Sequence, residues 1–99
     1  MLELNQPFID LGTVKLGSDT FFEAKIRNHG RIDVRIQAQP SCSSCTQVLE
    51  QPPVILAGGE GIFRFKYHPT STGTVIRNVF FQEGNEVRQT LMFKSEVVD

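Results

Sequence analysis

The chain has 99 residues, 39% of them hydrophobic and 21% charged, with 10 Lys plus Arg against 11 Asp plus Glu and a formal net charge of -1. That length holds one core rather than two, and the composition lies well away from the low-hydrophobicity, high-charge regime of disordered chains. A charge this balanced makes no field that would draw the protein onto a phosphate backbone or an anionic membrane, so no nucleic-acid partner is expected.

The opening Met1-Leu2-Glu3-Leu4-Asn5 has neither the basic segment nor the apolar run of a secretory signal. No stretch approaches the roughly 18 to 20 apolar residues that cross a bilayer, so a soluble chain without membrane insertion is expected.

In chain order, a first strand is predicted over about residues 7 to 11, at a sheet edge with Asp10 facing water. No second acidic residue stands where it would complete a cation cage with Asp10. After a turn at Gly17-Ser18-Asp19, Thr20 to Arg27 alternates with period two: Phe22, Ala24 and Ile26 on one face, Glu23, Lys25 and Arg27 on the other. Asn28-His29-Gly30 is a tight turn with the His29 ring expected in solvent. A third strand follows over 32 to 38. A fourth runs from 47 to 50 and continues irregularly to 56, where Pro52-Pro53 removes two backbone donors and so predicts an edge strand or a covering loop. Beyond Gly58-Gly59, residues 61 to 67 set Phe63, Phe65 and Tyr67 opposite Arg64 and Lys66. The last two strands are predicted over 74 to 82 and 87 to 95, joined at Gly84-Asn85. No window carries a helical stripe. Seven short antiparallel strands punctuated by turns predict an all-β, immunoglobulin-like two-sheet sandwich, with residues 1–99 as a single domain.

The last hairpin raises a register question. A two-residue Gly84-Asn85 turn in a regular ladder would put Val79 and Phe81 on the face of Arg88 and Thr90, mixing core with surface. A three-residue loop beside a bulge, with Gly84 or Asn85 left-handed, instead aligns Val79 and Phe81 with Leu91 and Phe93. The expectation is the three-residue loop. Its corollary is that Ile76, Phe80 and Met92 point away from the core, as an apolar patch on the outside of the sheet.

Cys42-Ser43-Ser44-Cys45 is the one local motif with reactive potential. Redox catalysis needs the first thiol at a helix N-terminus, whereas this pair follows a strand. Zinc needs four ligands; in a sandwich of this order His68 lies at the pole of the cysteines and His29 at the other, so Cys42, Cys45 and His68 are the most the chain could gather. A disulfide or two free thiols is the alternative reading. Arg64, Lys66, Lys25 and Arg27 make a small basic stripe with Glu23 on the same face, which reads as a screened, solvated surface. No nucleophile elbow, phosphate loop or dinucleotide fingerprint is present, and no cofactor is expected.

In sequence order, Phe8-Ile9-Asp10-Leu11-Gly12, Gly17, Asn28-His29-Gly30, Cys42 to Thr46, Leu56-Ala57-Gly58-Gly59-Glu60-Gly61, Tyr67-His68-Pro69 and Gly73 resemble the bacterial domain-of-unknown-function family 1573. That family is a relative of the hydin-like and major-sperm-protein-like immunoglobulin domains. The chain departs from its pattern in two places: Ser43-Ser44 separates the cysteines where the family has one Gly, and Ala57-Gly58 stands where it prefers Pro. The resemblance implies a seven-strand sandwich, often exported, with no established activity. The expectation for function is a non-catalytic protein-interaction or assembly module that meets a protein partner through the outer face bearing Ile76, Phe80 and Met92 or through an exposed sheet edge. A metal- or redox-responsive domain built on Cys42 and Cys45 is the alternative.

Overall fold

The computed structural model describes residues 1–99 and contains eight strands and no helix. They are β1 (Leu2–Leu4), β2 (Phe8–Lys15), β3 (Thr20–Asn28), β4 (Gln37–Pro40), β5 (Thr46–Glu50), β6 (Glu60–Tyr67), β7 (Gly73–Glu83) and β8 (Glu86–Val98). Two four-stranded sheets, ordered β1-β3-β6-β5 and β2-β8-β7-β4, face each other across one cluster of 19 buried residues.

The expected all-β sandwich is present, with two corrections to its strand count and sense. There are eight strands rather than seven, and β2 runs parallel to β8 while every other pair is antiparallel. Both have one cause. Leu2 and Leu4 are buried as β1 pairs with β3, then the chain crosses between sheets at Asn5 to Pro7 without changing direction. Met92 N–H donates to the Pro7 carbonyl at 2.8 Å, and β2 starts there alongside β8. Three residues are too few for a period-two pattern to register, so β1 leaves little trace in the sequence.

The predicted alternation in β3 and β6 holds residue by residue. Ala24, Ile26, Phe63, Phe65 and Tyr67 are buried, with Phe22 packed against them. Phe22 stacks on Phe65 with ring centroids 5.0 Å apart, while Phe63 meets Phe81 edge-on at 4.9 Å and Tyr67 meets Phe93 edge-on at 5.2 Å. Aromatic rings from the first sheet therefore interdigitate with those of the second, an arrangement favoured by their quadrupoles beyond the area they bury.

The predicted strand over 32 to 38 is shorter than expected. Val34, Ile36 and Ala38 are buried as the alternation requires, but only Gln37–Pro40 pairs with β7. Val34 instead exchanges both backbone hydrogen bonds with Ile55, at 3.0 and 2.8 Å. Ile55 belongs to the irregular segment after β5, which with Pro52-Pro53 covers the end of the first sheet. That cover lies so close to β6 that a Cβ on Gly61 would sit 2.8 Å from Ile55 Cγ1 and 3.0 Å from Pro52 Cγ. The expected edge strand and covering loop are both found, β5 being the outermost strand of its sheet.

Asn28 organises the same pole. It is 1% exposed, and its amide nitrogen donates to the carbonyls of Ile32 (2.9 Å) and Ile55 (3.1 Å) while its oxygen accepts from Gly30 N–H (2.9 Å). One buried side chain thus ties together two loops, satisfying the Ile32 carbonyl and the Gly30 N–H and adding a second donor to the Ile55 carbonyl that Val34 already bonds.

The β7–β8 hairpin corrects the expected loop and keeps its consequence. Glu83 pairs with Glu86, so Gly84-Asn85 is a two-residue turn, with Gly84 at φ +60. The extra residue lies further in: Gln82 pairs with Val87 and Phe81 with Gln89, leaving Arg88 unpaired as a bulge. From there Val79 faces Leu91, and Val79, Phe81, Leu91 and Phe93 are all 0% exposed. A bulge inside the ladder shifts the faces as a longer loop would, and it keeps the turn type that Gly at the first central position favours.

Candidate functional site

The outer face of the second sheet carries the residues that alternation placed there. Ile76 is 49% and Met92 41% exposed, and Phe80 is partly buried. Ile76 lies opposite Lys94 and Met92 opposite Asn78, while Phe80 lies opposite Thr90 and Gln39. Parallel pairing adds a member the sequence reading missed. Phe8 sits beside Met92 and is itself 46% exposed, so the apolar surface crosses β2, β8 and β7. Its signal was available: Phe8 is two residues before Asp10, which was expected to face water. Asp10 lies exposed beside Lys94 on edge strand β2, and it also accepts from Gly12 N–H at 2.8 Å, closing the bulge there.

At the opposite end from Asn28, Cys42 and Cys45 form a disulfide, their Cα atoms 5.5 Å apart. Of the two readings left open, the disulfide is therefore the one found. Cys45 is 4% exposed and packs in the core, with Cys42 against its margin. His68 does come to this pole, its N–H donating to the Cys45 carbonyl at 2.7 Å. Its ring turns elsewhere, with Nδ1 2.9 Å from the Asp19 carboxylate. The three side chains of the zinc reading therefore do not converge: the sulfurs are bonded to each other and the imidazole is paired with an acid. His29 is exposed as expected and also has a partner. Its Nε2 lies 2.6 Å from Glu3, tying β1 to the turn after β3.

On the outer face of the first sheet, Arg64 stands between Glu23 on β3 and Glu50 on β5, both at 3.3 Å. The hydrogen bond it donates to Glu23 and the charges of Glu50 and Glu23 hold its guanidinium even more firmly protonated than usual. The basic stripe is thus screened from within, as a solvated face would be.

Solved structures share this architecture at low identity. The secreted serine protease VesC from Vibrio cholerae matches with a TM-score of 0.73 and 15% identity, over 99% of this chain and 23% of that one. A protein of unknown function from Porphyromonas gingivalis W83 matches with a TM-score of 0.73 and 17% identity, over 96% of this chain and 46% of that one. The ASH / PapD-like domain of human CEP192 gives 0.72 and 13%, over 99% of this chain and 85% of the other. This chain therefore spans under half the length of the first two, and at these identities what is shared is the fold. No curated protein matches the sequence. The family described as HYDIN/CFA65/VesB-like, Ig-like domain matches residues 1–96, and the chain belongs to that family.

Proposed function

We propose that this chain is a non-catalytic interaction module that engages a protein partner through the outer face of its second sheet. The observation carrying this reading is the exposure of Phe8, Ile76 and Met92 on three neighbouring strands, beside Phe80. Apolar side chains grouped on adjacent strands outside the core mark a surface fit to be covered; the first sheet's outer face also exposes Phe21 and Ile62, but beside the Glu23–Arg64–Glu50 charges. The chain's reactive pair, Cys42 and Cys45, is closed on itself, which supports a binder over an enzyme. The turn motifs from Phe8 to Gly73 favour, within the family, the branch that resembles domain-of-unknown-function family 1573. A disulfide persists in oxidising compartments, which supports an exported placement.

A structural role in an assembly is compatible with the same surface. Met1 bonds to His29 at one pole and Val98 to Leu16 at the other, so the two ends of a body measuring 48 × 20 × 19 Å are each closed by backbone hydrogen bonds. The test is site-specific photo-crosslinking in the source cell. A photoreactive residue at Met92 should trap a discrete protein adduct, whereas one at Lys25, on the opposite outer face, should not. Equal trapping from both positions, or none from Met92, refutes the proposal.

A further inference from the structure

The second sheet leaves one strand half uncovered. β7 has 11 residues, yet β4 pairs with it only from Val79 to Gln82. The last contacts are Ser41 N–H to the Asn78 carbonyl (2.9 Å) and Asn78 N–H to Ser41 Oγ (3.1 Å), after which the chain turns away into the Cys42–Cys45 loop. Backbone groups alternate sides along a strand, so the N–H and C=O of Ile76 and Thr74 point to that same side, where no strand lies beside them.

The sheets' edge strands are blunted. β1 has three residues, β4 has four and ends on Pro40, and the ladders of β2 and β5 are broken by register shifts at Asp10/Thr13 and Val48/Glu50. On the β7 flank the only guard is Arg77. It lies between the inward-facing Val75 and Val79 and brings its Nη1 round to the Ile76 carbonyl at 3.2 Å. Arg77 takes part in none of the protein's ion pairs. Its Nε and the Oδ1 of the next residue, Asn78, are the two buried side-chain polar atoms without a hydrogen-bond partner. Such atoms are costly and rare, and here both fall on consecutive residues where β4 leaves the sheet.

We propose that the flank of β7 from Gly73 to Arg77 accepts an added strand: an extended peptide segment bearing a carboxylate that draws the Arg77 guanidinium off the Ile76 carbonyl. The inference rests on the reading of this sheet as the contact side. A peptide backbone supplies both the donors and the acceptors that Thr74 and Ile76 lack, and a carboxylate supplies the acceptor that Arg77 lacks. A second copy of this chain paired flank to flank is the wrong occupant, because residues 73 to 77 carry no carboxylate to offer Arg77.

The experiment uses two capped probes, acetyl-Thr-Val-Glu-Val-Thr-amide and its Gln counterpart, titrated to millimolar concentration into the ¹⁵N-labelled full chain. The Glu peptide should shift the Thr74 and Ile76 amides and slow their hydrogen exchange, binding roughly tenfold more tightly than the Gln peptide. Arg77→Gln should erase that preference, and Arg77→Lys should restore part of it. Thr74→Pro removes the backbone donor on the free side together with the exposed hydroxyl bond to Glu96; it should fold and abolish binding, whereas Thr74→Val, which loses only the hydroxyl, should bind as the parent does. Unmoved Thr74 and Ile76 amides, or a Glu preference that survives Arg77→Gln, overturn the inference. If that happens while Met92 still traps its partner, strand addition alone falls and the interaction module stands.

Discussion

The Tyr67 hydroxyl lies 3.0 Å from Ser95 Oγ, with Tyr67 on β6 in one sheet and Ser95 on β8 in the other, at 1% and 0% exposure. One hydrogen bond therefore joins the sheets through an otherwise apolar core. Its value is asymmetric, because removing one partner strands a buried hydroxyl while removing both leaves nothing unsatisfied. Ser95→Ala and Tyr67→Phe should each cost about 1–3 kcal/mol, and the double variant clearly less than their sum. Urea unfolding of the four proteins measures this cycle, and strictly additive losses would show that the pair is not coupled.

Asn28 extends the same logic to the far pole. Its amide nitrogen faces the carbonyls of Ile32 and Ile55, so the near-isosteric Asn28→Asp would place a carboxylate oxygen against two acceptors in a buried site. The expected loss is about 3 kcal/mol or more, exceeding that of Asn28→Ala, which removes the bonds without adding repulsion. Thermal unfolding ranks the two, and Asn28→Ala proving the worse would overturn the assigned amide orientation.

Most of the fold was legible because the first sheet has one wet and one dry face. Glu23, Lys25 and Arg27 against Ala24 and Ile26 leave only one register that keeps charge out of the core. What escaped the sequence depends on distant partners. β1 is too short to carry a pattern, and the parallel sense of β2 follows from a crossing at Asn5 to Pro7 that no local residue announces. Phe8 could be placed on the outer face by its phase with Asp10, but its joining the patch shows only through Met92, its neighbour far along the chain. Cys42 and Cys45 were legible as a pair, whereas His68 taking Asp19 rather than a shared site depended on where the turn before β3 falls.

The position of the bulge makes a sharp test of register. Arg88 is the unpaired residue of β8, so deleting it leaves Glu83 opposite Glu86 and still brings Phe81 opposite Gln89 and Val79 opposite Leu91. The deletion should fold with its core contacts intact and cost about 1 kcal/mol, mainly through the lost ion pairs of half-buried Arg88 with Glu83 and Glu86. Cross-strand nuclear Overhauser contacts between Val79 and Leu91 are the readout. Their loss would mean that the bulge is essential to the twist of the hairpin and not merely compatible with it.

The loop between the cysteines is short, with a sequence separation of 3. A disulfide stabilises largely by restricting the unfolded chain, and so small a loop restricts it little: about 2 kcal/mol in the entropy picture. Paired replacement by Ala, which avoids burying a hydroxyl at Cys45, should therefore lower Tm by roughly 8 to 16 °C while leaving the fold in place. The core argues for survival, since Phe63, Phe65, Phe81, Leu91 and Phe93 are fully buried without help from the bridge. Calorimetry together with an amide fingerprint spectrum checks both halves. Loss of dispersed signals at room temperature would mean that the loop between β4 and β5 holds the two sheets together, rather than being held by them.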